Sequence, residues 1–278
     1  MRANTTSIEK QDVEEILGRY QGNEYFKRAL EESTSSQDVA ETVIKYVYFN
    51  RLFGAGVAHL ASQLAFQTSL FEDSSENDLW NDRSMEVGSC VFAAAIDEFG
   101  DRGVSSNPTH RKLAQAVIKS LVMYTGYDLN SLDLSHISAK INPRVRGGYG
   151  VAGLDEDQLF RSIGFHIGSE LLADQEFRIL DHALCQRYPG LVDKLKDTVV
   201  TVSGERVPAY RWIEIHTTVE IDHFVHAVRA ANMALQYYSG SQNRSDVKQQ
   251  IIQGVEGFAV FQQEFMKYLC KGTPTLEL

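Results

Sequence analysis

The chain has 278 residues, 43% hydrophobic and 23% charged, a balance that supports a sizeable buried core and excludes a wholly disordered polymer. Its formal net charge of −10, with no basic stripe, argues against a nucleic-acid partner, because phosphate binding needs clustered Lys and Arg. No apolar run reaches membrane-span length, Met1 to Lys10 lacks the apolar core of a secretory signal, and Cys90, Cys185 and Cys270 are too scattered for a disulfide framework, so a reducing cytoplasm is the expected setting.

After about eight flexible residues, helical periodicity predicts helices near 9–32 and 37–70, then an acidic, Ser-rich loop from Glu72 to Asp82. A third helix is expected from Ser84 to Phe99, ending at Gly100 and Gly103. Asn107-Pro108 opens a fourth that runs to Tyr124 and stops at Gly126. Residues 127–154, with Asn142-Pro143 and Gly147-Gly148-Tyr149-Gly150, read as irregular. Helices at 155–187, 206–239 and 243–271 complete the chain, with a short turn or hairpin excursion between Asp197 and Val207. The expected architecture is one all-α domain spanning 1–278, with about seven helices.

The segment Glu214 to His226 carries the strongest chemical signal. His216, Glu220 and His223 stand at i, i+4 and i+7, which at about 100° per residue returns them to one stripe of a helix. Apolar neighbours (Ile213, Ile215, Val219, Phe224) indicate that the stripe is not fully solvated, and buried polar groups need partners. A metal ion would satisfy all three side chains. Asp222 lies about a third of a turn away and is the weaker candidate.

Three other segments offer ligands. Asp97-Glu98 sits at a helix C-terminus, the unfavourable end of the helix dipole for an anion. His110 follows across a Gly-containing turn. In the stretch from Phe165 to Glu176, His166, Glu170 and Asp174 share a stripe, and Gly164 and Gly168 allow close approach of another helix. Glu170 has the most apolar surroundings and is the expected ligand there, with His166 and Asp174 as groups that orient or supplement it. Glu98, His110, Glu170, His216, Glu220 and His223 together make three carboxylates and three imidazoles. Such a set suits two iron or manganese ions better than a structural zinc, which favours thiolates.

This pattern resembles the heme-oxygenase-like diiron oxidases and oxygenases. The likeness rests on Asp97-Glu98-Phe99-Gly100 followed by His110, on Ile163-Gly164-Phe165-His166-Ile167-Gly168-Ser169-Glu170, and on His216-x-x-x-Glu220-x-x-His223, across about residues 90–240. The usual Asp of the last motif is Glu220 here, and the Glu98–His110 interval is slightly long. The resemblance implies a seven-helix heme-oxygenase-like bundle without heme. It implies two Fe(II) ions, the second weakly held, that activate O2 as co-substrate, and it makes Glu98, Glu170 and His223 essential to catalysis. The implied reaction oxidises a small amino-acid-like substrate by C–C or C–N cleavage, desaturation or N-oxygenation. The alternative is oxidative decarboxylation of a fatty acid. Arg144 and Arg146 are the candidate carboxylate clamp, and Phe165 and His166 candidate pocket residues. An external electron donor and a homodimer are compatible with this reading. Rival readings are a ferritin-like diiron protein, which favours two Glu-x-x-His pairs where this chain has one, and a metal-free relative or helical binding protein with core histidines.

Overall fold

A computed structural model describes residues 7–72, 83–151, 153, 155–273 and 276. The protein is all-α apart from one two-stranded hairpin among these residues. In chain order the elements are α1 (Lys10–Leu17), α2 (Gly22–Glu32), α3 (Ser36–Phe49), α4 (Phe53–Ala65), α5 (Arg83–Glu98), α6 (His110–Thr125), α7 (Leu134–Gly148), α8 (Glu156–Arg187), α9 (Pro189–Lys196), β1 (Val199–Val202), β2 (Glu205–Pro208), α10 (Arg211–Tyr237) and α11 (Arg244–Leu269). No helix is long and apolar enough to cross a membrane, and all three cysteines are free thiols.

The eleven α-helical segments among the described residues exceed the seven expected because two long stretches are broken and because α7 and α9 form where no helix was expected. The 9–32 stretch divides at Gly18 to Gln21. The 37–70 stretch divides at a 3-10 turn, Asn50–Leu52, where the Asn50 side-chain amide donates to the Tyr46 carbonyl at 3.0 Å and so competes with the helix ladder. The chain start is tied down at Ile8, which is buried. Its N–H donates to Asn232 Oδ1 at 2.7 Å, and Asn232 Nδ2 donates back to its carbonyl at 2.9 Å. Most of the expected acidic loop, 73–82, lies outside the described residues, as do residues 1–6.

Residues 127–154 are not irregular throughout, since α7 occupies half of them with Pro143 inside it. A proline in a helix interior costs about 3 kcal/mol. Ile137, Ile141 and Val145, at i, i+4 and i+8, are fully buried, and each contributes about 1.5–3 kcal/mol. Packing therefore outweighs the breaker. The excursion before α10 is a true hairpin, Val199 opposite Pro208 and Val202 opposite Glu205. Its two turn residues, Ser203 and Gly204, both have positive φ (47° and 83°), which suits the strand twist.

Helix α8 is the centre of the fold. Its residues from Ser162 to Leu172 are all buried, so it is enclosed around its whole circumference there rather than along one stripe. It packs on α10 and α11. The approach to α11 is backbone on backbone: a Cβ built on Gly164 would lie 1.8 Å from the Ile251 carbonyl oxygen, and one on Gly254 would lie 1.9 Å from that of Arg161. This packing turns the face of α8 that carries Glu170 towards α10.

Candidate metal centre

Four helices deliver the six expected ligands to one interior seam. Helix α5 ends on Glu98 and α6 begins at His110, so His110 is the first helical residue rather than the third. The Thr109 hydroxyl caps α6 by accepting from the Lys112 N–H at 3.2 Å, which fixes where the helix starts. Helix α8 supplies Glu170, and α10 supplies His216, Glu220 and His223 from one buried stripe.

The side chains form two compact groups, Glu98–His110–His216 and Glu170–Glu220–His223. Within each, one ligand atom per residue lies within 4.8 Å of the others. In the first group, Glu98 Oε1 is 2.9 Å from His110 Nδ1 and 3.6 Å from His216 Nε2. In the second, His223 Nδ1 is 3.5 Å from both Glu170 Oε2 and Glu220 Oε2. Glu220 joins the groups, because its other oxygen, Oε1, is 3.6 Å from His216 Nε2.

Surrounding groups set the imidazole orientations. His216 Nδ1 donates to the Trp212 carbonyl at 2.5 Å, since a carbonyl can only accept; that leaves Nε2 facing the carboxylates. His223 Nε2 donates to Asp97 Oδ2 at 3.0 Å and leaves Nδ1 facing Glu170 and Glu220. Phe177 stacks on His216 at a ring separation of 4.2 Å. His166 is buried, with Nδ1 3.0 Å from Glu170 Oε1, but neither of its nitrogens makes a well-directed hydrogen bond.

The electrostatics are unusual for a core. Glu170 and Glu220 are buried and the Glu98 side chain is 25% exposed, and all three have only histidines as ion-pair partners among the described residues. Burial opposes ionisation of Glu98, but His110 and His216 outweigh it and hold its carboxyl well below the usual range. Glu170 is held low in the same way, against burial, by His166 and His223. Glu220 goes the other way: burial raises it, and the neighbouring Glu170 charge adds to the rise. His223 is raised against burial by Glu170 and Glu220. Three carboxyl groups crowd together in the seam, and without a cation the Glu220 carboxyl and the His223 imidazole are both driven towards their protonated forms. Cations seated in the two groups would offset that drive. This donor chemistry fits two metal ions, one per group, with the Glu220 carboxylate reaching both.

A small cavity of about 50 Å3 opens onto both groups, bounded by Phe53, Phe177, Phe258, Trp212 and the Glu176 carboxyl. Glu176 is fully buried, accepts from Tyr46 Oη at 2.7 Å and from Gln262 Nε2 at 2.8 Å, and is pushed up by burial to about 7.

Other expected residues lie elsewhere. Arg144 pairs with Glu264 at 3.3 Å, and Arg146 is exposed on α7. Neither lines a cavity that contains a ligand residue. Phe165 is packed among Phe53, Tyr149, Phe258 and Phe261 rather than on the inner cavity. Asp174 is taken by Arg178, at 2.8 Å, and Asp222 is exposed. Two groups stand where the sequence reading gave them no role: Asp97, named there only beside Glu98, now orients His223, and Glu176, six residues after Glu170 on the same helix, lines the cavity. Compared with known proteins, the chain matches no family model and no curated sequence.

Proposed function

We propose that this protein is a non-heme dinuclear iron oxidase or oxygenase of the heme-oxygenase-like kind, acting on a small amino-acid-like substrate in the cytoplasm with an external electron donor. One observation carries the reading: two largely buried acid–histidine groups, built from four helices, share the Glu220 carboxylate and have no lysine or arginine partner among the described residues. Glu98, His110 and His216 would hold one ion, Glu170 and His223 the other, and Glu220 both.

When bound, the metal pair supplies the electrons and the Lewis acidity for oxygen chemistry. The chain does the rest. Asp97 fixes the ring of His223, and the Trp212 carbonyl fixes that of His216, so that each presents one bare nitrogen inward. Phe53, Phe177 and Phe258 keep bulk water from the cavity, which strengthens every electrostatic contact inside it. Glu176 keeps a proton at its carboxyl beside the cavity at pH values where an exposed glutamate has lost its own.

The test is anaerobic loading with Fe(II), metal analysis, then exposure to O2 while oxygen is measured. About two irons per chain and rapid O2 uptake support the reading. Protein that retains no iron and consumes no O2 overturns it.

A further inference from the structure

A second, larger cavity of about 190 Å3 lies on the outer side of Glu98 and His110 and shares Asn50, Gly54, Glu98 and Trp212 with the inner one. Its charged wall is cationic apart from Glu98, whose carboxylate is engaged by His110 and His216. That wall is Arg51 and Arg111, which both lie against the ring of Tyr48, at 5.8 and 5.6 Å from its centre.

Several cations of this acidic protein meet carboxylates, as Arg211 meets Asp101, Arg178 meets Asp174 and Arg144 meets Glu264. Arg51 and Arg111 meet none among the described residues. Arg51 donates only to the Ser138 hydroxyl, at 2.8 Å, and Arg111 Nη1 is buried without a hydrogen-bond partner. Two like charges share one aromatic ring, one of them with an orphaned donor, at the mouth of a cavity. An anion would offset both costs.

We propose that the outer cavity is a carboxylate subsite, in which Arg51 and Arg111 grip the anionic end of the molecule that reaches the Glu98–His110 edge of the metal centre. The inference deepens the dinuclear reading and rests on it for the ligand's being a substrate; the anion grip itself is made by guanidiniums, which hold no metal. It also moves the clamp from Arg144 and Arg146 on α7 to a residue adjacent to a ligand. A planar guanidinium matches a carboxylate with two parallel N–H donors, which a lysine cannot reproduce.

The test is calorimetric titration of metal-free and Fe(II)-loaded protein, under anaerobic conditions, with hexanoate and benzoate and with their neutral counterparts hexanamide and benzamide. The carboxylates should bind at least about tenfold more tightly than the amides. Arg111→Gln and Arg51→Gln should each weaken carboxylate binding by about tenfold or more, with amide binding unchanged. Arg111→Lys, which keeps the charge and the helix, should fall between and serves where Arg111→Gln does not fold. Equal binding of acids and amides, no binding of either acid, or unchanged acid affinity in Arg51→Gln and Arg111→Lys overturns the subsite. Two irons per chain without acid selectivity would sink the subsite alone. Acid selectivity without iron retention would sink the dinuclear reading and leave the subsite standing.

Discussion

Helix α8 buries two glutamates less than two turns apart, and the protein treats them in opposite ways. Glu170 faces His166 and His223, which hold it ionised in the interior. Glu176 faces a tyrosine hydroxyl and a glutamine amide, and burial wins, so its carboxyl rises to about 7. The helix, the depth and the residue type are shared; the partners alone differ. Neutral donors let a buried carboxyl keep its proton, whereas imidazoles hold a negative charge in place for a cation.

The largest effect should come from removing the ionised member. Glu170→Ala leaves the second group with one carboxylate and one imidazole, so metal analysis should fall from two ions per chain to one or none. O2 uptake should drop by more than the ~100-fold typical of changes outside the ligand set. Adding Fe(II) should raise the thermal midpoint of the parent protein and do so much less in the variant, because a ligand stabilises only the state that binds it. If Glu170→Ala retained two ions and full oxygen uptake, the contrast between the two glutamates would have no bearing on metal binding.

Glu176→Gln probes the other side of the comparison. An unfolded chain releases this proton near the ordinary 4.5, whereas the folded protein holds it to about 7. Between those values the native state binds the extra proton, so the parent loses stability as pH rises through the window and loses no more above it. Glutamine mimics the protonated acid and removes that slope. The variant should match the parent near pH 4.5 and exceed it by up to about 3 kcal/mol above pH 7, measured by denaturant melts across the range. A pH-independent difference would mean that Glu176 is ionised throughout.

Asp97→Ala tests how far His223 depends on its orienting partner. Asp97 is partly exposed and touches the imidazole nitrogen that faces away from the ligand group. Its loss should weaken metal binding by about 10–100-fold, read by competition with a chelator, while helix content by circular dichroism stays the same. Unchanged affinity would assign the orientation of His223 to packing alone.

These contrasts show what local sequence encodes. His216, Glu220 and His223 are legible because one helix sets their spacing, and Glu98 with His110 because they face each other across a single loop between consecutive helices. Glu170 is legible from its apolar neighbours. The contact of Asp97 with His223 is not legible, because it depends on α10 lying across α5, which no spacing within either helix reveals. Arg51 comes from the 3-10 turn before α4 and Arg111 from α6, and they meet only through the packing around Tyr48. Arg144 drew attention as part of a Gly- and Pro-containing loop, but Ile137, Ile141 and Val145 make that stretch a helix and direct Arg144 to Glu264. Helix breakers weigh on a residue locally, whereas the apolar face that overrides them acts through tertiary contacts.

The smallest effect expected is at Gly54, on α4 opposite the ionised end of α5. A Cβ built there would lie 2.8 Å from both the Cβ and Oε2 of Glu98. Oε2 ends a flexible side chain and could swing aside, but the Glu98 Cβ is fixed to the helix and cannot move without α5. Gly54→Ala should therefore push Glu98 a few tenths of an ångström from His110 and His216 without removing a ligand. Ligand geometry is sensitive on that scale, so affinity for the metal in the first group should fall several-fold, less than in Asp97→Ala, while the second group keeps its own. Two-site analysis of a metal titration separates the two groups. Equal weakening of both sites would mean that Glu220 transmits the displacement across the shared carboxylate. No weakening at either would show that α4 yields before α5 does.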